Sequence, residues 1–177
     1  GQALDMYFKN MIPNEGQYLQ MTRLKTGAYL ALPMLGGALI AGANKKTINL
    51  IKGYGEFIGP AYQIIDDVLD FDEKSKNFGS DIKEGKRTLM VVHCISKCTS
   101  KEKIKLMKIL NKERRITTFE DIRYTKRLLE KYGSIDYAMK KAHSLIAKGK
   151  VCIKPLDNKK GRDYLNKMAD FVVNRKI

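Results

Sequence analysis

The stretch Tyr62–Thr88, "YQIIDDVLDFDEKSKNFGSDIKEGKRT", joins an apolar run that contains acids to a polar segment that contains lysines. Residues three and four positions apart share one face of a helix, so Gln63, Asp66 and Asp70 line one face of the predicted helix. Asp67 lies about 100° around the axis from Asp66. Apolar residues flank these acids, which favours a helix that borders a cleft, and a solvated acidic face is the alternative interpretation.

A divalent cation suits this arrangement of carboxylates. Carboxylates one helical turn apart repel each other and take up protons more readily unless a cation lies between them. Mg²⁺ prefers oxygen ligands and is usually bound by one or two carboxylates together with substrate phosphates. The lysines that follow are suited to bind the same phosphates as point charges. We therefore predict one anion site that is formed by carboxylates, Mg²⁺ and lysines.

Composition indicates an anionic partner. The 177 residues contain 34 Lys and Arg against 19 Asp and Glu, a net charge of +15. Such an excess is typical of proteins that bind nucleic acid, a membrane surface or a phosphorylated metabolite. Only 8 of the 34 basic residues are Arg, the residue favoured for contacts with phosphates and base edges, and no recognition motif accompanies them. We therefore expect no nucleic-acid partner.

The cysteines and the longest uncharged run bear on the compartment. Cys94, Cys98 and Cys152 form an odd set without a secretory signal, which favours a reducing, cytoplasmic location and free thiols. The run Ala28–Ala43 is 16 residues long, shorter than the roughly 20 that a membrane span needs. We predict a buried core helix there and no transmembrane segment.

Helical periodicity extends over nearly the whole chain and predicts an all-α fold in one domain. Gly53, Gly55, Gly59 and Pro60 divide Thr47–Phe71 into two predicted helices, and residues 72–86 are predicted to form a loop. Later helices and their predicted caps are 87–97, 100–110 with the capping box Thr99 and Glu102, 119–132 with Thr117 and Glu120, 134–148 with Ser134, and 157–174 with Asp157.

Four motifs in a fixed order carry a resemblance to a known family. They are "GQ..D" at Gly1–Asp5, "KTG" at Lys25–Gly27, "GPAYQIIDDVLD" at Gly59–Asp70 and "GSDIKEGKRT" at Gly79–Thr88. Together they resemble the trans-isoprenyl diphosphate synthases. The closing "KMADFVVNRK" is similar to the end of the short-chain members. The likeness covers the whole chain and identifies residues 1–177 as the C-terminal part of a single polyprenyl synthetase domain.

The resemblance implies an isoprenoid synthase-type helical bundle, here lacking its N-terminal helices, in an enzyme that is usually a homodimer. In such enzymes Mg²⁺ helps an allylic diphosphate to ionise, and the resulting carbocation is attacked by isopentenyl diphosphate. By resemblance, Asp66, Asp67 and Asp70 are metal ligands, with Asp66 the expected direct one. Lys25, Thr26, Gln63, Lys76 and Lys86 are implied in catalysis and diphosphate binding. Asp81 is expected to orient the lysines or the waters of the metal. Tyr29, Phe57 and Tyr62 are candidates for the apolar cavity wall or for ordinary core packing.

The 177 residues contain a single DDxxD, whereas the family carries a first aspartate-rich motif upstream of it. The chain by itself is therefore expected to be inactive and to expose an apolar face. It is a fragment of a full-length synthase, a half completed by another polypeptide, or a noncatalytic partner subunit, and we favour the first. A terpene cyclase shares the ionisation chemistry but is not expected to combine "KTG" with "GSDIKEGKRT".

Overall fold

The computed structural model of the chain describes residues 1–73 and 78–174. Over these two ranges the chain forms helices and no β-strand, which confirms the predicted all-α class. The α-helices are α1 (Gln2–Phe8), α2 (Glu15–Thr22), α3 (Ala28–Ile40), α4 (Lys45–Leu69), α5 (Ser80–Lys83), α6 (Leu89–Lys97), α7 (Ser100–Leu110), α8 (Phe119–Lys131), α9 (Ser134–Cys152) and α10 (Lys159–Asn174), and the π-helical turn Arg23–Gly27 joins α2 to α3.

Helix α4 is the centre of the fold. It packs along α9 on one side and along α3 and the π-helical turn on the other. Its apolar residues recur at helical spacing, and Ile58, Ile64 and Ile65 are all buried. Burying one such side chain contributes about 1.5–3 kcal/mol relative to leaving it exposed. This packing holds the acidic end of α4 in a fixed place.

The prediction of two helices within Thr47–Phe71 is wrong, because α4 continues through its three glycines and Pro60 as one helix. Glycine here serves close packing. A Cβ on Gly59 would lie 2.1 Å from Cα of Gly27, and a Cβ on Gly55 would lie 2.6 Å from Cβ of Ala31. The glycines that suggested a break in the helix instead allow the backbone of α4 to contact the backbone of a neighbouring segment.

The predicted loop after α4 contains a short helix, α5. Gly79, which precedes it, has φ of +72°, a left-handed conformation that favours glycine. The carboxylate of Asp70 accepts hydrogen bonds from the backbone N–H groups of Ser80 and Asp81, both at 3.1 Å. These contacts satisfy N–H groups that a helix start leaves unpaired, so Asp70 organises a segment that sequence patterns alone describe as a loop.

The later helices occur where they were predicted, with changes at their starts and a later end for α9, which continues to Cys152 instead of ending near residue 148. The capping box of Thr99 and Glu102 is confirmed in full. The capping box of α8 is formed by Thr118 and Asp121, one residue later than predicted. Helix α6 begins at Leu89, two residues after the predicted start.

The predicted caps of α9 and α10 are corrected. Ser134 is the buried first residue of α9, and its hydroxyl lies 3.0 Å from Nδ1 of His93 instead of capping the helix. At the start of α10 the side chain of Asn158, not Asp157, accepts the backbone N–H of Gly161 at 2.9 Å.

Helix α3 is buried on one side only. Ala31 is its single buried residue, whereas Tyr29, Leu32 and Ile40 are exposed. The prediction of a fully buried core helix is therefore wrong for this chain, and the exposed apolar face is as expected. Across the part of the chain that the structure describes, no helix is both long enough and apolar enough to span a bilayer.

The contact between Gly59 and Gly27 predicts that Gly59→Ala destabilises the fold. The added methyl group would meet backbone atoms of Gly27, which cannot move independently of the helix, so we expect a loss of about 2–4 kcal/mol in the free energy of urea unfolding.

The matched control for this prediction is Gly36→Ala in the interior of α3. A Cβ on Gly36 has no heavy atom within 4 Å, so this substitution is expected to stabilise the chain by up to about 1 kcal/mol. Equal stabilities of the two variants would contradict the close backbone contact.

Candidate functional site

The "KTG" motif lies in the π-helical turn between α2 and α3. Such π-bulges are rare and are frequently found at functional sites. The turn presents Thr26 to α4, and the Thr26 hydroxyl donates a hydrogen bond to Oε1 of Gln63 at 2.8 Å. Lys25 forms an ion pair with Asp5 at 2.6 Å. The first two motifs of the sequence are thus brought together at the face of α4 that carries Gln63.

Asp67 is the most deeply buried carboxylate of the site, with 4% of its surface exposed. Tyr18 Oη donates to Oδ2 and Gln63 Nε2 donates to Oδ1, each at 2.8 Å. Burial raises the pKa of Asp67 well above its ordinary range, and the negative charge of Asp81 raises it further. The hydrogen bonds oppose this shift without cancelling it.

The carboxylate of Asp70 faces the short helix α5. Besides its two backbone contacts, it accepts the hydroxyl of Ser80 at 2.6 Å. Burial raises the pKa of Asp70, and the hydrogen bonds from Ser80 and Asp81 only partly offset that effect. Asp67 on α4 and Asp70 at its C-cap therefore share a surrounding in which negative charge is incompletely compensated.

Lys86 forms ion pairs with two carboxylates. Its ammonium group is 2.5 Å from Oδ1 of Asp81 and 3.6 Å from Oε2 of Glu84. Burial alone would lower the pKa of Lys86, but the contact with Asp81 outweighs burial, and the net effect is a raised pKa. Asp81 therefore favours the charged form of Lys86 and holds its ammonium group by a hydrogen bond.

One small cavity joins these groups. Lys25, Gln63, Asp67 and Lys86 all line it. Four of the eight residues predicted for the site thus share one cavity, and Thr26 is connected to it through Gln63. Asp66 and Asp70 do not line it, and Lys76 lies outside the described residues. The remaining lining residues are Asp5, Tyr18, Met21, Arg87 and Thr88.

The aspartates provide only part of the ligand set that a divalent cation needs. Among residues 1–73 and 78–174, no three acidic, histidine or cysteine side chains form a metal-binding group. Asp67 and Asp70 already accept hydrogen bonds on both oxygens. Even so, carboxylates with raised pKa values gain from a nearby cation, and Mg²⁺ needs only one or two of them. The acidic end of α4 is compatible with such an ion.

Two residues of this site were missed by sequence reasoning. Tyr18 precedes Lys25 by seven positions. In a regular α-helix this spacing would place both residues on one face, but the π-helical turn that contains Lys25 shifts the register. Arg87 is buried and donates to the carbonyl groups of Gly85 at 2.6 Å and Lys9 at 2.8 Å. It fixes the turn next to Lys86, and no sequence pattern distinguishes it from a surface arginine.

The candidate wall residues differ in their surroundings. Phe57 and Tyr62 are partly buried and pack against the core, as the packing alternative expects. Tyr29 is 77% exposed, so it is not packed in the core.

Comparison with known proteins places these features in a family. The family model for polyprenyl synthetase matches residues 1–128. A short chain isoprenyl diphosphate synthase of Methanothermobacter thermautotrophicus is 37% identical over 180 residues, an alignment that covers 99% of this chain and 54% of that protein. The chain therefore spans about half the length of the curated relatives it matches.

Solved structures show the same fold. Geranylgeranyl pyrophosphate synthetase from Pyrococcus horikoshii superposes with a TM-score of 0.84 at 34% identity, over 99% of this chain and 54% of that one. Geranylgeranyl pyrophosphate synthase from Corynebacterium glutamicum, solved with isoprenyl diphosphate and magnesium, gives 0.86 at 26% identity, over 99% and 51%. The isoprenoid synthase-type fold is thereby confirmed.

The raised pKa of Asp67 predicts a pH-dependent stability. The folded state binds this proton more tightly than the unfolded state, so the stabilising effect is complete below the ordinary carboxyl pKa near 4 and is lost as pH rises towards the folded value. Asp67→Asn has no such proton, so the loss should be absent from its free energy of unfolding. The two proteins should therefore differ in pH dependence by on the order of 1 kcal/mol or more.

Urea unfolding at pH 5 and pH 8 measures this effect, with Asp157→Asn as the control for an exposed carboxylate. Parallel pH dependences in the wild type and Asp67→Asn would show that Asp67 is not protonated in the folded chain.

Proposed function

The chain belongs to the polyprenyl synthetase family, and on that premise we propose that it is the diphosphate-binding part of a Mg²⁺-dependent prenyltransferase of isoprenoid biosynthesis. The substrates would be an allylic diphosphate and isopentenyl diphosphate. The observation that carries this proposal is the convergence of Lys25, Lys86 and the acidic helix α4 on one cavity. Residues 1–177 would form the C-terminal part of one domain, in a protein that acts as a homodimer.

The proposed reaction is a head-to-tail condensation. The C–O bond of the allylic diphosphate breaks, and the diphosphate leaves with the electron pair. The double bond of isopentenyl diphosphate attacks the resulting carbocation, and loss of a proton leaves a product one isoprene unit longer. Negative charge develops on the departing diphosphate, and preorganised cations stabilise that charge.

Lys25 and Lys86 are the cations that we propose for this task, together with Lys76. Both Lys25 and Lys86 are held by carboxylates, through Asp5 and Asp81 respectively. These ion pairs orient the ammonium groups before substrate arrives. Lysine can keep one such contact and donate another hydrogen bond to phosphate, since its ammonium group has three donors.

The proposed metal ligands are Asp66, Asp67 and Asp70. The family resemblance supports the half-buried Asp66 as the direct ligand, and Asp67 and Asp70 also accept hydrogen bonds from the protein on both oxygens. Mg²⁺, when bound, neutralises charge on diphosphate oxygens. Thr26, next to Lys25 in the sequence, is hydrogen-bonded to Gln63 on α4. Both side chains would border the bound diphosphate.

We further propose that residues 1–177 need a first aspartate-rich motif from outside this sequence for catalysis, so the chain by itself is inactive. The single DDxxD of the chain and the greater length of its relatives support this view. The alternative is a noncatalytic partner subunit of a prenyl diphosphate synthase, which would need the fold but not the site. The intact set of lysines and acids favours the catalytic assignment.

Binding of inorganic pyrophosphate tests the proposed anion site directly. Isothermal titration calorimetry of the chain with pyrophosphate and Mg²⁺ is expected to show one site that is lost when Mg²⁺ is chelated. Lys25→Ala and Lys86→Ala should each weaken binding about tenfold or more, because each removes a charge-assisted contact.

Lys112→Ala is the matched control for these lysines, because Lys112 forms a comparable ion pair with Asp121 at 2.7 Å outside the cavity. Equal affinities for all three variants would mean that pyrophosphate binds elsewhere, and the function would then have to be abandoned.

A chimera distinguishes a catalytic half from a noncatalytic partner. The preceding part of the Methanothermobacter thermautotrophicus synthase is fused to Gly1 of this chain, and elongation of labelled isopentenyl diphosphate is measured. We expect activity in the fusion and a loss of about 100-fold or more in its Asp66→Ala variant. A fusion that is helical and folded but inactive would favour the noncatalytic partner.

A further inference from the structure

Tyr18 is a buried residue for which the proposed reaction has no use. It lies on α2, is 1% exposed, and donates its hydroxyl hydrogen to Oδ2 of Asp67, 49 residues away in sequence. A tyrosine hydroxyl inside a protein requires a partner, but most find a backbone carbonyl or water. Here the partner is a carboxylate of the proposed catalytic site.

A chain of hydrogen bonds connects the same carboxylate to the "KTG" motif. Oδ1 of Asp67 accepts from Nε2 of Gln63, and Oε1 of Gln63 accepts from the hydroxyl of Thr26. The three contacts are each 2.8 Å long. They connect α2, α4 and the π-helical turn without a gap.

This chain has a defined polarity. An amide side chain can present either end to a neighbour. Oδ1 of Asp67 keeps its acceptor lone pairs when a proton is bound at Oδ2, so it selects the NH₂ end of Gln63 in either protonation state. The carbonyl end is then turned to Thr26, whose hydroxyl must donate. Tyr18 occupies the second oxygen of Asp67, so the carboxylate cannot rotate without losing a hydrogen bond inside the protein. The orientation of Gln63 and Thr26 thereby depends on Tyr18, which contacts neither of them by these bonds.

We propose that Tyr18 is a positioning residue, which fixes Gln63 and Thr26 beside the diphosphate site by anchoring Asp67. The proposal rests on the proposed function for the identity of that site. Within it, Asp67 serves mainly as an acceptor of hydrogen bonds. The chain of contacts also gives this carboxyl group a role at a position whose burial opposes its charge.

Tyr54 provides a matched control for this role. It is also 1% exposed, and its hydroxyl donates to the backbone carbonyl of Leu165 at 2.6 Å. It does not line the cavity of the site. Tyr18→Phe and Tyr54→Phe therefore each remove one hydroxyl from the interior, but only the first change affects a carboxylate that holds Gln63.

The experiment follows the side-chain amide of Gln63 by ¹⁵N NMR in the 177-residue chain, beside calorimetry with Mg²⁺ and pyrophosphate. In Tyr18→Phe we expect shifted Gln63 resonances and faster exchange of its amide hydrogens, with pyrophosphate affinity lowered about fivefold. Tyr54→Phe should lower the melting temperature comparably and leave the Gln63 resonances and the affinity unchanged. Unchanged Gln63 resonances in Tyr18→Phe, or equal changes in both variants, would overturn the proposal.

Failure of the diphosphate site and failure of the role of Tyr18 give different results. If the wild type binds no pyrophosphate, the proposed function fails, whereas the Gln63 resonances still decide whether Tyr18 positions this side chain. If Tyr18→Phe does not fold, Asp67→Ala replaces it, because loss of both acceptor oxygens must also release Gln63 from its fixed orientation. A Gln63 amide that is unaffected in Asp67→Ala contradicts the proposal equally well.

Discussion

The site depends on the direct contact between the backbone of α4 and the π-helical turn at Gly59 and Gly27. Because Gly59 has no side chain, the two segments can approach this closely. The contact sets Thr26 within hydrogen-bonding distance of Gln63, one turn before Asp67 on α4. Packing of small residues thus determines where the polar groups of the site meet.

The lysines of the site are paired with carboxylates, whereas two of its aspartates lack a full counter-charge. Lys25 and Lys86 have carboxylate partners, but Asp67 and Asp70 are stabilised mainly by neutral donors and have raised pKa values. Burying an ionisable group without a full counter-charge lowers stability. A magnesium diphosphate would bring cations to the acids and an anion to the lysines. The same feature that weakens the free chain would therefore favour ligand binding.

Much of this could be predicted from the sequence. Apolar periodicity indicates helices, and the spacing of Gln63, Asp66 and Asp70 with the following Lys86 indicates a shared site. In the structure Asp67, not Asp66 or Asp70, lines the cavity beside Gln63. The error at α4 has a clear physical origin: glycine and proline act locally as helix breakers, but Gly55, Gly59 and Pro60 lie where α4 is supported by tertiary packing. The π-bulge and the role of Tyr18 depend on contacts between distant segments, and no local pattern encodes them.

Lys25, Lys86 and the acidic end of α4 are proposed to bind one diphosphate together. A crystal structure of the chain grown with Mg²⁺ and pyrophosphate tests it most directly. The account predicts a single pyrophosphate within hydrogen-bonding distance of both Lys25 and Lys86, with the metal between it and Asp66. Pyrophosphate bound on another surface, or contacting only one of the two lysines with no metal near α4, would contradict the account.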